Sequence, residues 1–271
     1  MPPTLILIRH AQALHNVADD WSIHDPPLSE LGEQQSRELH ESLRNSKVGN
    51  EVGLIVVSPM RRTLQTASIG LEWLIKEKGV KVLPDAGWQG MHSKKYIRLA
   101  HTHSCLENTD KPCDTGSPIS TMAKEFPDFD FSTVDPLYPD KTSNLSSNPY
   151  AFTRKAILAR GQTCLQALYS RPEKVIAVVS HSGIMRGAVC QRRFFNADWR
   201  VFDYDQEAIK ASREKGEGID GQGLFFLKEW KETEAGGMGR SEVGVFGVDT
   251  TDIPPAVEEE TTQELPVRAE P

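Results

Sequence analysis

The chain has 271 residues, with 38 Asp and Glu against 31 Lys and Arg and a formal charge of -7. That length supports one α/β domain of ordinary size with extensions, and the acidic balance argues against the broad basic face that nucleic acid requires, so any anion site must be local. No apolar run resembles a signal peptide or a spanning helix, and Cys105, Cys113, Cys164 and Cys190 form no CxxC pair, so a reduced, soluble, cytoplasmic protein without a membrane partner is expected.

In chain order, "TLILI" (4 to 8), "LIVVS" (54 to 58) and "VIAVVS" (175 to 180) are short continuous apolar runs, the pattern of central strands covered on both faces. "LSELGEQQSRELHESLRNS" predicts a helix with Leu31, Leu39 and Leu43 at helical intervals and Ser29 as N-cap. "RRTLQTASIGLEWLIKEKG" predicts a second, carrying Leu64, Ile69, Leu71 and Leu74 and stopped by Gly79; "KVLPD" (81 to 85) follows as a strand. "AFTRKAILARGQTCLQALYSR" predicts a third helix, ended by Pro172, and "GLFFLKEW" (223 to 230) a last strand. Strands alternating with helices in this way predict βαβ units and a mostly parallel sheet, whose ligands gather at the carboxyl ends of its strands. The folded domain is expected over residues 1–232, and 233–271, low in apolar residues and ending in "EEETTQELPVRAEP", as an acidic disordered tail.

Three strand ends carry related chemistry. Arg9 and His10 close the first, Ser58 closes the second just before Arg61 and Arg62, and Ser180-His181 close the strand at 175 to 180. If the strands are neighbours, two guanidinium forks and two imidazoles meet in one pocket, suited to a phosphoryl group through charge-assisted hydrogen bonds. Imidazole can attack phosphorus directly, and His10 is the candidate nucleophile, with Arg9, Arg62 and His181 on the phosphoryl oxygens and Asn16 as a further donor.

"LIRHAQALHN", "PPLSELGEQQ", "SPMRRTLQTA" and "VVSHSGIMRG" occur in the order of, and resemble, the signature segments of the histidine phosphatase superfamily, the phosphoglycerate mutase-like fold. "KPCDTGSPIS", "FPDFDFS" and "FNADWRVFDYD" further resemble a fungal phosphatase branch related to a phosphomutase-like protein, the last as its late edge strand. The resemblance implies a three-layer α/β/α sandwich with a mostly parallel central sheet. It implies a metal-independent, cofactor-free phosphatase acting on a small phosphomonoester, with nucleophile on His10 and phosphate binding on Arg9, Asn16, Arg62 and His181. Arg61 ranks as helper or surface residue; Ser182, where Gly is usual, adds a hydroxyl near the phosphate, and Ala11 replaces the commoner Gly.

The family's proton donor is a Glu shortly after the third strand, which matches Glu107 best, with Asp85 and Asp114 as alternatives. An insertion at about residues 86–105 separates that strand from Glu107 and holds His92, His101 and His103. Three readings of it stand: a metal site, disfavoured by ligand spacing; a lid whose Lys94, Lys95 and Arg98 meet an anionic substrate; or translated intron sequence, which a spliced message encoding the segment would exclude. Competing functions are a phosphomutase of the same superfamily and a pseudoenzyme that binds phosphorylated ligands. Oligomeric state leaves no readable mark.

Overall fold

The computed structural model describes residues 1–17, 20–90, 112–144, 147–218 and 221–246. Its elements run β1 (Thr4–Arg9), α1 (Leu14–Val17), α2 (Glu30–Arg44), β2 (Val52–Val57), α3 (Arg61–Gly70), α4 (Glu72–Lys76), β3 (Lys81–Pro84), α5 (Ile119–Glu125), α6 (Arg154–Tyr169), β4 (Val175–Ser180), α7 (Ser182–Ile184), β5 (Trp199–Tyr204), α8 (Gln206–Glu214) and β6 (Leu227–Glu229). Among the described residues the strands form one sheet in the order β3-β2-β4-β1-β5-β6. The pairs β3-β2, β2-β4 and β4-β1 are parallel, and only β5 runs against its neighbours.

The continuous apolar runs have the meaning expected of central strands. Alternate residues of β1 enter opposite cores: Ile6 and Ile8 join Leu39, Leu64 and Leu74 on one face, while Leu5 and Leu7 join Ile157, Leu165 and Phe202 on the other. Both faces are therefore covered, giving the three-layer α/β/α arrangement, and each such side chain contributes about 1.5–3 kcal/mol on burial.

Four expectations are corrected. Leu31 is exposed, and the inner face of α2 is instead Gly32, Gln35, Ser36, Leu39 and Leu43. The first turns of α2 pack on the loop after β1 rather than on the core: a Cβ on Gly32 would lie 1.9 Å from the Gln12 carbonyl, and Gln12 N donates to Gln35 Oε1 at 2.9 Å. The second expected helix breaks at Leu71 (φ -117, ψ 17), and the turn rephases the chain so that Leu71, Trp73 and Leu74 are all buried. The segment expected as a late edge strand is β5, which lies inside the sheet because β6 pairs along its outer side. The expected boundary at residue 233 falls inside a run, Lys231 to Phe246, that packs on β5: Asp198 accepts from Met238 N and Ser241 Oγ, and Gly237 N donates to Trp199 O. Residues 247–271 lie outside the described residues.

Candidate active site

Because β2, β4 and β1 are adjacent and parallel, the three basic strand ends converge. His10 N donates to Ser180 O at 3.0 Å and Ser58 N to Val179 O at 3.0 Å, which sets the chain turns carrying His10, His181 and Arg62 side by side. The rings of His10 and His181, both fully buried, stand 5.1 Å apart between centroids.

The His10 ring is fixed by its own chain. Nδ1 lies 2.7 Å from the Ala11 carbonyl, which can only accept, so Nδ1 carries the proton and neutral His10 keeps its lone pair on Nε2. Ala11 is held in turn, its N–H donating to Thr66 Oγ1 on α3. His181 Nε2 pairs with Ser58 Oγ at 2.9 Å, tying the end of β4 to the end of β2. Arg9 donates from Nη1 to Phe194 O at 3.0 Å, and the His10 carbonyl accepts from Asn196 Nδ2 and Ala197 N.

Arg62 lies in the first turn of α3, is fully buried, and donates from Nη1 to Cys113 O at 2.8 Å with Asp114 Oδ1 3.6 Å from Nη2. The start of α3 is anchored by Asp25, whose carboxylate accepts from Arg61 N and Ser117 N. Arg61 itself turns outward to Glu125. Asn16 is engaged locally: Oδ1 accepts from Ala13 N and Nδ2 donates to His15 Nε2 at 3.0 Å. Ser182 is the first residue of α7, half-buried beside His181. Glu107 and the insertion's histidines fall outside the described residues. Of the alternative acids, Asp85 accepts from Gly87 N, with burial raising its carboxyl above the usual range, and Asp114 belongs to Arg62.

Two residues of this region escaped the sequence reading. His15 is fully buried, 6.4 Å from the His10 ring and 5.5 Å from that of Trp21; its signal was the His preceding Asn16. Lys141 is buried and donates from Nζ to Gly90 O at 2.9 Å and Asp114 O at 2.6 Å, joining the two chain segments that flank residues 91–111. Burial pulls its ammonium down from the usual 10.5 to about 7. Native Lys141 thus gives up its proton near pH 7 while the unfolded chain holds it to about 10.5, so this group's contribution to stability rises with pH across that window, by at most about 1.4 kcal/mol per unit. Urea unfolding of wild type and Lys141→Met at pH 7, 8 and 9 checks this: the difference is expected to move steadily in favour of the wild type, and a pH-independent difference would contradict it.

The description "Histidine phosphatase superfamily (branch 1)" matches residues 5–105. A phosphoglycerate mutase-like protein of Arabidopsis thaliana is 32% identical over 203 residues, covering 68% of this chain and 72% of the relative. The chain belongs to the histidine phosphatase superfamily. A Schizosaccharomyces pombe protein named as a probable phosphatase is 32% identical over 182 residues, 66% of this chain and 73% of its own length. The solved structure of the ecdysone phosphate phosphatase of Bombix mori, in complex with tungstate, superposes with a TM-score of 0.50 at 16% identity, covering 74% of this chain and 89% of that one. This likeness concerns the fold. No group of three or more His, Cys, Asp or Glu suited to a metal ion occurs among the described residues, and no helix among them is long and apolar enough to cross a membrane.

Proposed function

We propose that the protein hydrolyses a small phosphomonoester through a phosphohistidine on His10, without a metal or other cofactor. The observation that carries this reading is the Nδ1 hydrogen bond of His10 to the Ala11 carbonyl, which puts the lone pair on Nε2 of a ring whose centroid is 5.1 Å from that of His181. The membership of the superfamily and the phosphatase named among the relatives support it.

In the proposed cycle Arg9, Arg62, His181 and Asn16 neutralise and orient the phosphoryl oxygens, with the Ser182 hydroxyl alongside. The Nε2 lone pair of His10 attacks phosphorus in line. The bond to the ester oxygen breaks, and that oxygen leaves as the alcohol after taking a proton from Glu107. Water then gives a proton to Glu107 and attacks phospho-His10, releasing inorganic phosphate and restoring both residues. The fixed Nδ1–H matters for this step because its hydrogen bond stabilises the positive charge that the ring gains on attack. Hydrolysis is preferred over phosphoryl return to a second hydroxyl because the latter needs an intermediate shielded from water and a bisphosphate primer, and no sequence element provides either.

Release of inorganic phosphate from an aryl phosphate in the presence of chelator tests the reading. The wild type is expected to turn over, and Glu107→Ala to lose about 10²- to 10⁴-fold in rate. The loss should shrink as the leaving alcohol becomes more acidic, since such a group needs no proton. An equal loss on good and poor leaving groups would remove Glu107 from the donor role. With a monophosphorylated diol in place of the aryl ester, an isomerised ester without free phosphate would make the protein a mutase.

A further inference from the structure

Asp25 lies between α1 and α2, is 1% exposed, and has a left-handed backbone with φ 41. That conformation is uncommon for a residue with a side chain, and the Pro26 that follows pushes residue 25 towards extended backbone instead. A residue held against its preference persists only where its surroundings fix it, and such positions cluster at functional sites. The surroundings of Asp25 are the two pieces of chain on either side of Arg62. Oδ1 accepts from Arg61 N at 3.0 Å, one residue before Arg62, and Oδ2 accepts from Ser117 N at 3.0 Å. The Asp25 N–H donates to Pro112 O at 3.3 Å. Asp25 therefore grips the first residue of α3 and both ends of the segment 112–117.

That segment is what meets the Arg62 guanidinium. Nη1 donates to Cys113 O at 2.8 Å, while Asp114 Oδ1, 3.6 Å from Nη2, supplies opposite charge from beyond hydrogen-bond distance. Nε and Nη2 are buried and have no hydrogen-bond acceptor among the described residues. These two nitrogens form one edge of the guanidinium, the kind of edge that takes a phosphoryl group through two parallel hydrogen bonds. Its direction is set by the first turn of α3, from which the side chain springs, and by the Cys113 carbonyl, which holds Nη1. Both are tied to one carboxylate.

We propose that Asp25 is a positioning residue for the phosphate pocket: by tying Arg61 to Pro112 and Ser117 it aims the Nε and Nη2 edge of Arg62 at the phosphoryl oxygens. Asp25 acts through Arg62 and touches no reacting atom. The inference rests on the reading of Arg62 as a phosphoryl ligand, and it accounts for a buried carboxylate kept so close to a pocket built for an anion.

The test is a double-mutant cycle on phosphate binding and on turnover, with Asp25→Gly, Asp25→Asn, Arg62→Ala and the double variant Asp25→Gly with Arg62→Ala. Gly adopts a positive φ without steric cost, so Asp25→Gly removes the carboxylate while relieving the backbone. Asn also tolerates the left-handed region and keeps one acceptor oxygen, so Asp25→Asn carries the comparison if the Gly variant does not fold. Calorimetric titration with inorganic phosphate reads the pocket without any chemistry. Asp25→Gly is expected to weaken phosphate binding about tenfold or more and to lower kcat/KM on aryl phosphates about 10- to 100-fold, the loss that follows a misplaced binding group, with Asp25→Asn recovering part of both. The loss should be equal for good and poor leaving groups, since Arg62 holds the phosphoryl oxygens that stay on phosphorus. In the Arg62→Ala background Asp25→Gly should add less than about twofold, because no guanidinium remains to be aimed. A residue that only supports the fold would lower both backgrounds by the same factor. That result overturns the proposal, as does unchanged phosphate binding in Asp25→Gly. Absence of turnover by the wild type counts against the phosphatase reading alone, and the phosphate-binding cycle still decides the role of Asp25. No phosphate bound by the wild type overturns both.

Discussion

His10→Ala is expected to lower phosphate release from any phosphomonoester by at least about 10³-fold, a loss of about 4 kcal/mol of transition-state stabilisation. The size follows from the role. In the proposed cycle Arg9, Arg62 and His181 share the phosphoryl oxygens, so losing one weakens binding and charge neutralisation while the others persist. The lone pair that forms the new bond to phosphorus comes from His10 Nε2 alone in the proposed cycle, and Ala has nothing to replace it. The substitution should leave folding nearly intact, because the backbone of residue 10 keeps its bonds to Ser180, Asn196 and Ala197. Parallel measurement of phosphate release and thermal unfolding separates the two effects. Residual activity above a few per cent in a well-folded His10→Ala chain would argue against covalent catalysis at this residue.

The largest loss of stability is expected at Arg200, far from the strand ends in sequence logic but close in space. Arg200 is fully buried on β5. Nη1 donates to Glu229 Oε1 at 2.6 Å and Glu234 O at 2.7 Å, and Nη2 donates to Arg193 O and Glu242 O at 2.8 Å. One side chain thus fastens β6, the run from Lys231 to Phe246 and the loop before β5. Arg200→Met removes these bonds and leaves buried Glu229 with Arg192 as its one ion-pair partner among the described residues. Breaking a buried pair by removing one partner costs about 3–5 kcal/mol, on the order of 10 °C in Tm for a domain of this size. Activity should fall as well, because the same loop supplies the Phe194 carbonyl to Arg9 and Asn196 to the His10 carbonyl. Urea unfolding checks the stability term, and a change below about 1 kcal/mol would mean that water replaces these donors without loss.

The legible part of the fold was local. Apolar runs without alternation identify central strands because burial on both faces leaves no reason for polar residues between them, and the capping serine Ser29 accepts from Gly32 N as its position implied. Bringing the strand ends that carry Arg9, His10 and His181 beside the start of α3 needed a single further assumption, that the strands are neighbours, and the parallel pairs β2-β4 and β4-β1 meet it. What could not be read depends on who packs against whom. Leu31 fits a helical period as well as Leu39 does, and only the approach of Gln12 to Gly32 turns it outward. Lys141 and Arg200 look like ordinary surface cations in sequence; their partners lie tens of residues away, and no periodicity encodes such pairing. β5 resembles an edge strand until β6 closes over it.

The most direct test of the central claim is to mix the protein with an aryl phosphate labelled on phosphorus and quench in base within a turnover. A phosphohistidine is stable in base and labile in acid, so the label is expected on the peptide that contains His10, at up to one equivalent and lost on acidification. Rapid turnover with no base-stable label on that peptide would mean direct attack of water on the ester and would contradict a covalent role for His10.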